Sequence, residues 1–252
     1  MNETDAIRIQ QLKAENKELD YLFSELENDQ HFILSGVSHE LRNILALVLS
    51  SVQLIESSHP EAKDFHYWNE TMCDLQYMKK LLSNFSDYNN GKKLDRSSIS
   101  LYGLLESLHR SMLPFFQEHG QNLLFMDSGP RPILSLDATK LKQAVINLLK
   151  NACEASEEGK DVVLYYRCCN DKVTVSVNDS GSGMTPDQCE KLFQPFATTK
   201  ATGTGMGLPL ARKIAEGHGG SLQVTSVPGQ GTSCTMVFPL SALACDTESS
   251  PA

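Results

Sequence analysis

The stretch Val177-Asn-Asp179-Ser-Gly181-Ser-Gly183-Met184 places a carboxylate at the end of a predicted β-strand, directly before two closely spaced glycines. Glycine reaches backbone conformations with positive φ and lets the main chain approach a flat ligand closely. A carboxylate fixed at such a point can accept a hydrogen bond from an exocyclic amine. An ordinary turn explains the same residues equally well, so the interpretation depends on the rest of the chain.

Short β-like runs alternate with helix-like runs on both sides of this stretch, which predicts an α/β layered domain. The β-like runs are 122–126, 162–168, 173–177, 221–225 and 233–238, and the helix-like runs are 103–118, 137–156 and 208–218. In the middle helix, Asn147 and Asn151 lie one turn apart on the same side. Buried amides often serve only to satisfy the backbone. An amide oxygen is also a suitable ligand for a Mg2+ ion that keeps most of its waters.

A second glycine cluster, Gly203-Thr-Gly205-Met-Gly207-Leu208, opens a predicted helix, so its amides can hold phosphate oxygens. Its spacing is not that of the dinucleotide fingerprint, and the chain lacks the Gly-Lys-Ser or Gly-Lys-Thr of a P-loop. The residues between the two clusters read Leu192-Phe193-Gln-Pro195-Phe196-Ala-Thr198-Thr199-Lys200. Aromatic anchors followed by hydroxyls and a lysine predict a mobile lid that closes over phosphates.

The amino-terminal residues 1–33 are predicted to form a coiled-coil helix, because their seam residues alternate steps of three and four. These residues are Ile9, Leu12, Asn16, Leu19, Phe23, Leu26, Gln30 and Ile33. A buried Asn at such a seam fixes register and favours two parallel strands. A helix that packs on its own domain is the alternative.

Residues 34–91 are predicted to form an antiparallel helical hairpin. Pro60 disfavours the helical conformation in His59 and ends the first helix. The second helix has an apolar stripe with near-heptad spacing, made of Phe65, Trp68, Met72, Leu75, Leu82 and Phe85. Two such hairpins would make a four-helix bundle. The polar stretch 92–98 is the predicted hinge into a domain spanning 92–240, and 241–252 is expected to be a disordered tail.

The first hairpin helix contains Gly36-Val-Ser-His39-Glu40-Leu-Arg-Asn43, which puts a histidine beside a carboxylate. His39 falls outside the apolar face of this helix, which consists of Leu34, Val37, Leu41, Ile44, Val48 and Ile55. A zinc helix of the His-Glu-x-x-His type is excluded, because Asn43 occupies the place of the second histidine. An inert surface histidine and a nucleophilic histidine remain as alternatives.

Composition excludes several classes of protein. A net charge of -9 and a pI near 5.3 argue against general nucleic-acid affinity, which usually needs a basic face. The sequence has no apolar run of about 18 residues and no signal-peptide pattern at its start, so we expect no membrane segment and a cytoplasmic location. The seven cysteines include no Cys-x-x-Cys pair and are expected to be reduced thiols.

The order of these motifs is more specific than any one of them. His-Glu, Asn-Leu-Leu-Lys-Asn-Ala, Asp-Ser-Gly-Ser-Gly-Met, the lid stretch, Gly-Thr-Gly-Met-Gly-Leu and Gly229-Gln-Gly231-Thr232 resemble the successive boxes of sensor histidine kinases of two-component systems. The resemblance runs from about residue 34 to residue 239 and is nearest to the nitrogen-regulation subgroup. It implies an α plus α/β fold, with a coiled coil and hairpin forming a dimeric four-helix bundle, followed by an α/β-sandwich ATP-binding domain of the histidine kinase/Hsp90 type.

The resemblance also implies roles for single residues. His39 would accept the γ-phosphate of ATP, Glu40 would be the general base, and Asn43 would position water for dephosphorylating the partner. Asn151 matches the Mg2+ ligand and Asp179 matches the carboxylate that reads adenine. The other implied nucleotide contacts are Asn147 beside Asn151, Gly181 and Gly183 at the base, Phe193 and Phe196 in the lid, Thr199, Lys200, Gly203, Gly205, Gly207 and Leu208 towards the phosphates, and Thr232 under the adenine.

The implied activity is that of a homodimeric, ATP-dependent kinase that passes phosphate from His39 to an aspartate of a response regulator receiver domain and also acts as its phosphatase. One alternative is an ATPase of the same fold that changes conformation without phosphorylating itself. Another is a degenerate kinase that serves as a scaffold. Many relatives carry proline where this chain has Ile44, so we expect a smaller helix bend here, which puts the efficiency of phosphotransfer in question.

Overall fold

The computed structural model describes residues 17–198, 200 and 203–243, and between 17 and 35 it describes only the side chains of Glu18, Tyr21 and Leu34. The predictions for residues 1–16, including Asn16, and for Thr199 therefore lie outside the described residues, as do those for the seam side chains from Leu19 to Ile33. The chain divides into two compact units between Asn89 and Asn90.

Two helices make up the first unit. Helix α1 spans Lys17–Ser58 and helix α2 spans Trp68–Asn89, and a 3-10 helix at Pro60–Asp64 connects them. Pro60 starts the 3-10 helix, where its missing N–H leaves no hydrogen bond unmade. Helices α1 and α2 contact each other, and the predicted stripe on α2 is half-buried from Trp68 onward. Phe65 is the exception, because it precedes α2 and is 60% exposed.

The apolar face predicted for α1 is not the face that α2 covers. The six predicted residues, from Leu34 to Ile55, are all between 41% and 58% exposed. The side chains that are buried are Ser38, Leu45 and Leu49, which form a neighbouring stripe at steps of seven and four. Helix α1 therefore has one buried stripe inside the hairpin and a separate apolar stripe at the surface.

The second unit is an α/β domain built on a mixed five-stranded sheet. Its helices are α3 (Leu101–Glu118), α4 (Ala138–Ala155), α5 (Pro186–Lys191) and α6 (Gly207–Gly217), and its strands are β1 (Ser97–Ser100), β2 (Asn122–Ser128), β3 (Ile133–Leu136), β4 (Asp161–Cys169), β5 (Lys172–Asp179), β6 (Ser221–Val227) and β7 (Gly231–Pro239). The large sheet has the order β2-β4-β5-β7-β6, with β2 and β4 parallel and the other pairs antiparallel.

Alternation along the strands places the core on one face of this sheet. Val173, Val175 and Val177 of β5 are buried, whereas Thr174 and Ser176 between them are only half-buried. Helices α3, α4 and α6 supply the other half of the core, with the fully buried Leu105, Leu149 and Ile214 among their contributions. The layered α/β domain is thus confirmed, with the element bounds moved by a few residues.

Three features of the second unit add to the sequence analysis. Strands β1 and β3 were not predicted, and they pair with each other in a separate two-stranded sheet. The expected hinge 92–98 is tied to the second unit, because Asp95 N–H donates to Asp137 Oδ2 (2.9 Å) and the Arg96 guanidinium donates to the carbonyl of Gly217 (3.0 Å). Of the predicted tail, only residues 241–243 are described, and Leu243 among them is completely buried. The prediction for residues 244–252 lies outside the described residues.

His218 follows the end of α6 and lies fully buried. Its Nδ1 is 2.8 Å from the Ile214 carbonyl, and its Nε2 accepts the Asp137 N–H at 3.0 Å. The ring must therefore be neutral, with its proton on Nδ1. Burial lowers the pKa of His218, the nearby Arg96 lowers it too, and the Ile214 carbonyl and Asp137 partly offset the effect.

We expect this histidine to make the second unit sensitive to acid. Because the folded pKa lies below the unfolded value near 6.5, the contribution of His218 to stability is fully present above the unfolded pKa. It is lost as the pH falls from the unfolded pKa towards the folded pKa, because in this range the unfolded chain binds one more proton than the folded chain. The melting temperature measured from pH 7.5 to pH 5.5 should fall.

The matched variants are His218→Gln and His119→Gln, since His119 is an exposed residue at the end of α3. Replacing His218 should lower the melting temperature at neutral pH and flatten its dependence on pH. Replacing His119 should leave the wild-type dependence. A His218→Gln protein with the same slope as the wild type would contradict this account.

Candidate active site

Asp179 ends β5 and pairs in register with Thr232 of β7. Its Oδ1 accepts two backbone hydrogen bonds, from Gly181 N–H at 2.9 Å and from Thr232 N–H at 3.1 Å. Both bonds use the same oxygen, which leaves Oδ2 available to a ligand. The carboxylate is thus fixed in orientation by the main chain and still has acceptor capacity.

The surroundings of Asp179 set its charge. Burial raises the pKa of Asp179 above its usual range, and the hydrogen bonds from Gly181 and Thr232 together with the nearby Lys200 partly offset this effect. Burial also raises the pKa of Cys234, on the neighbouring strand, to about 12, and the Asp179 carboxylate adds to this shift. Cys234 is therefore a buried, neutral thiol of β7 and not a nucleophile.

Gly183 is required by its position. It has φ of +63°, and a Cβ there would lie 2.1 Å from the carbonyl oxygen of Val227 at the end of β6. Only glycine accepts both this conformation and this approach. The same turn is held by Ser182 N–H, which donates to the carbonyl of Ala155 at the end of α4 (3.1 Å). The loop after Asp179 is therefore fixed between α4 and β6.

Thr232 belongs to a small hydroxyl network. Its Oγ1 lies 2.8 Å from Ser226 Oγ, which also donates to the Gly231 carbonyl and accepts from Met184 N–H. Ser226 thereby links strands β6 and β7 to the loop that follows Asp179. The sequence analysis missed Ser226, because no motif or spacing distinguishes it from the other hydroxyl residues of β6.

Asn147 and Asn151 lie on α4 and face the start of α6. A Cβ on Gly207 would lie 3.7 Å from Asn147 Cβ and 3.8 Å from Asn151 Nδ2, so the first turn of α6 packs against this pair of amides. Leu208 follows in the same turn and is half-buried. Two side-chain amides and a helix amino terminus thus lie side by side, a setting that suits phosphate oxygens and a Mg2+ ion.

The lid stretch begins with Phe193, whose ring lies 4.7 Å from the guanidinium carbon of Arg212 on α6. This cation–π contact fixes the start of the lid, and Arg212 is a second residue that the sequence analysis missed. Phe196 has φ of 67° and is 55% exposed. A Cβ on Gly205 would lie 2.5 Å from the carbonyl carbon of Phe196, so the two backbones are in direct contact there.

Lys200 is held by backbone hydrogen bonds and by a salt bridge. Its N–H donates to Thr198 Oγ1 (3.1 Å), and its carbonyl accepts from Gly203 N–H (3.2 Å). Its ammonium forms a salt bridge with Glu154 of α4. Glu154 was not predicted as a site residue, because nothing in its local sequence indicates a partner 46 positions away.

His39, Glu40 and Asn43 lie on α1, in the other unit, and all three side chains are exposed. Asn43 is one turn after His39, so the two side chains share one side of the helix. Glu40 is the adjacent residue and points about 100° away around the helix axis, since an α-helix has 3.6 residues per turn. A membrane span needs a longer continuous apolar stretch than any described helix of this chain provides.

Comparisons with known proteins show what the chain is similar to. Residues 136–242 match the family described as histidine kinase-, DNA gyrase B-, and HSP90-like ATPase. The signal transduction histidine-protein kinase AtoS of Escherichia coli (strain K12) is 29% identical over 210 residues, covering 82% of this chain and 34% of AtoS. The alginate biosynthesis sensor protein KinB of Pseudomonas aeruginosa is 32% identical over 218 residues, covering 83% of this chain and 36% of KinB.

A solved structure gives the same result for the fold. Full-length ShkA in complex with AMPPNP has 26% sequence identity and a TM-score of 0.72, over 84% of this chain and 45% of ShkA. The chain spans about a third to a half of the length of the relatives named here.

Proposed function

Because the chain belongs to the sensor histidine kinases of two-component systems, we propose that it phosphorylates His39 with the γ-phosphate of ATP and passes that phosphate to an aspartate of a response regulator. The single observation that carries the proposal is Asp179. Its Oδ1 is fully used by the Gly181 and Thr232 amides, and its Oδ2 remains for the amine of adenine. A turn without a ligand would not need a half-buried carboxylate with one of its two oxygens left over for a further hydrogen bond.

The chemistry at His39 is a phosphoryl transfer to nitrogen. An imidazole nitrogen of His39 attacks the γ-phosphorus, the bond from the γ-phosphorus to the bridging oxygen breaks, and ADP leaves. Glu40 takes the imidazole proton from the adjacent helix position. Exposure of His39 in the described unit supports its access to a nucleotide.

Mg2+ fits the donor set in the second unit. Asn151, with Asn147 one turn before it, would hold the ion through amide oxygen, and the ion supplies neutralisation of the β- and γ-phosphate charge when bound. Among the described residues, no group of three or more His, Cys, Asp and Glu could hold a metal. A nucleotide-dependent ion that takes its other ligands from phosphate and water suits such a site.

A second copy of the chain would cover the outer stripe of α1. Val37, Leu41, Ile44 and Val48 lie on this stripe and are 41% to 58% exposed. Ridges of apolar side chains at heptad steps pack well against a copy of themselves. The homodimeric four-helix bundle, the nitrogen-regulation subgroup and the cytoplasmic location are parts of this proposal, together with the role of Asn43 as a phosphatase residue.

Asn43→Ala should separate the two activities that we propose. If the amide orients water on a phosphorylated receiver domain, autophosphorylation stays near the wild-type rate and dephosphorylation of the partner slows by roughly 10- to 100-fold. Radiolabelled phosphate on the kinase and on a receiver domain that accepts it measures both rates. The matched control is Asn69→Ala, at another exposed asparagine of the same unit. Equal loss of both activities in Asn43→Ala would contradict the assigned role.

A further inference from the structure

One face of α4 carries three oxygen-bearing side chains in line. Asn147, Asn151 and Glu154 stand at steps of four and three, so they share one side of the helix. The first two face the start of α6 at Gly207. Glu154 is one turn further on, and there it meets Lys200 of the lid stretch. The lysine predicted to contact phosphate is therefore bound to a carboxylate at the edge of the phosphate site.

Both residues of this salt bridge have a fixed backbone. Local hydrogen bonds with Thr198 and Gly203 hold the backbone of Lys200, and α4 holds Glu154. The side chains of Lys200 and Glu154 are 41% and 49% exposed, so water competes for both charges. An exposed pair of this kind is weak and exchanges readily with a more highly charged anion.

A carboxylate and a phosphate offer the same chemistry to an ammonium group, namely negatively charged oxygen acceptors. We propose that Glu154 is a positioning residue. Its carboxylate pairs with the Lys200 ammonium when no nucleotide is bound, and the ammonium moves to the γ-phosphate when ATP binds. This inference rests on the proposed function, since it presumes that ATP is the ligand. Its consequence is that Glu154 lowers the affinity for ATP more than the affinity for ADP, which lacks the phosphate that Lys200 would meet.

Calorimetric titration of the full chain with MgATP and with MgADP tests the proposal in four proteins, namely the wild type, Glu154→Gln, Lys200→Met and the double variant. We expect Glu154→Gln to tighten ATP binding by roughly three- to fivefold and to change ADP binding less, because Lys200 no longer exchanges partners. Lys200→Met should weaken ATP binding, and adding Glu154→Gln to it should change nothing further. Glu157→Gln, which removes an exposed charge just beyond α4, is the control and should match the wild type.

The same titrations can overturn the proposal. A Glu154→Gln effect of equal size with and without Lys200 would show a general charge effect and contradict it, as would weaker or unchanged ATP binding in the single variant. A wild-type chain that binds MgATP but shows no coupling between the two residues would refute this inference alone. A wild-type chain that binds neither nucleotide would refute the proposed function as well.

Discussion

His39→Ala should abolish phosphate incorporation from ATP while leaving nucleotide binding unchanged. The nucleophile is the only group that the reaction cannot replace, and His39 lies in a different unit from the nucleotide residues. We expect incorporation to fall to background, a loss of at least about 100-fold, since removing a nucleophile removes the covalent step entirely. Incubation with MgATP followed by measurement of protein-bound phosphate gives the rate, and a calorimetric titration gives the affinity.

His59→Ala is the matched control for this variant. His59 is an exposed histidine of the same unit, bonded to the exposed Glu61 at 3.1 Å. Its loss should leave both the rate and the affinity at wild-type levels. Label that persists in His39→Ala, or that disappears in His59→Ala, would place the phosphoacceptor elsewhere.

Asp179→Asn should weaken ATP binding by roughly 30- to 100-fold, or about 2 to 3 kcal/mol, the loss typical of a hydrogen bond to a charged group. Asparagine keeps an oxygen that can accept from the Gly181 and Thr232 amides. It replaces the other oxygen by a donor, which would face the amine of adenine. The same donor suits the carbonyl oxygen of guanine, so GTP binding should not weaken and should improve. The ratio of ATP affinity to GTP affinity should therefore fall by more than the ATP affinity itself.

Parallel titrations with MgATP and MgGTP measure this change, and the melting temperature reports whether the fold is kept. Asp187→Asn, at an exposed carboxylate in α5, provides the control and should behave as the wild type. If Asp179→Asn bound ATP as the wild type does, the carboxylate would have only a structural role.

Much of the second unit could be predicted because its signals are local. A strand of alternating valines, an acidic residue and two glycines stand next to one another in the sequence, and each element has its own periodicity. Strands β1 and β3 could not be predicted, since four residues are too few for alternation to be distinguished from chance. Their pairing depends on contacts between segments far apart in the chain.

The motifs of the candidate site could be predicted from the sequence, but the side-chain contacts between its elements could not. Asp179, Asn147 and Asn151 could be named as candidates from residue type and spacing, and their roles at the nucleotide stay predictions. Glu154 and Arg212 could not, because each contacts the stretch 192–200 from another element and the pairing depends on tertiary structure. The surface stripe of α1 shows the opposite case, since its periodicity is strong but does not reveal which partner covers it.

The most direct measurement of the central claim is a phosphopeptide map of the wild-type chain after incubation with MgATP. We predict a single labelled peptide that contains His39, with phosphate that is lost in acid and kept in alkali, as a phosphorus–nitrogen bond requires. Label on any peptide that lacks His39, or label that survives acid, would contradict the account.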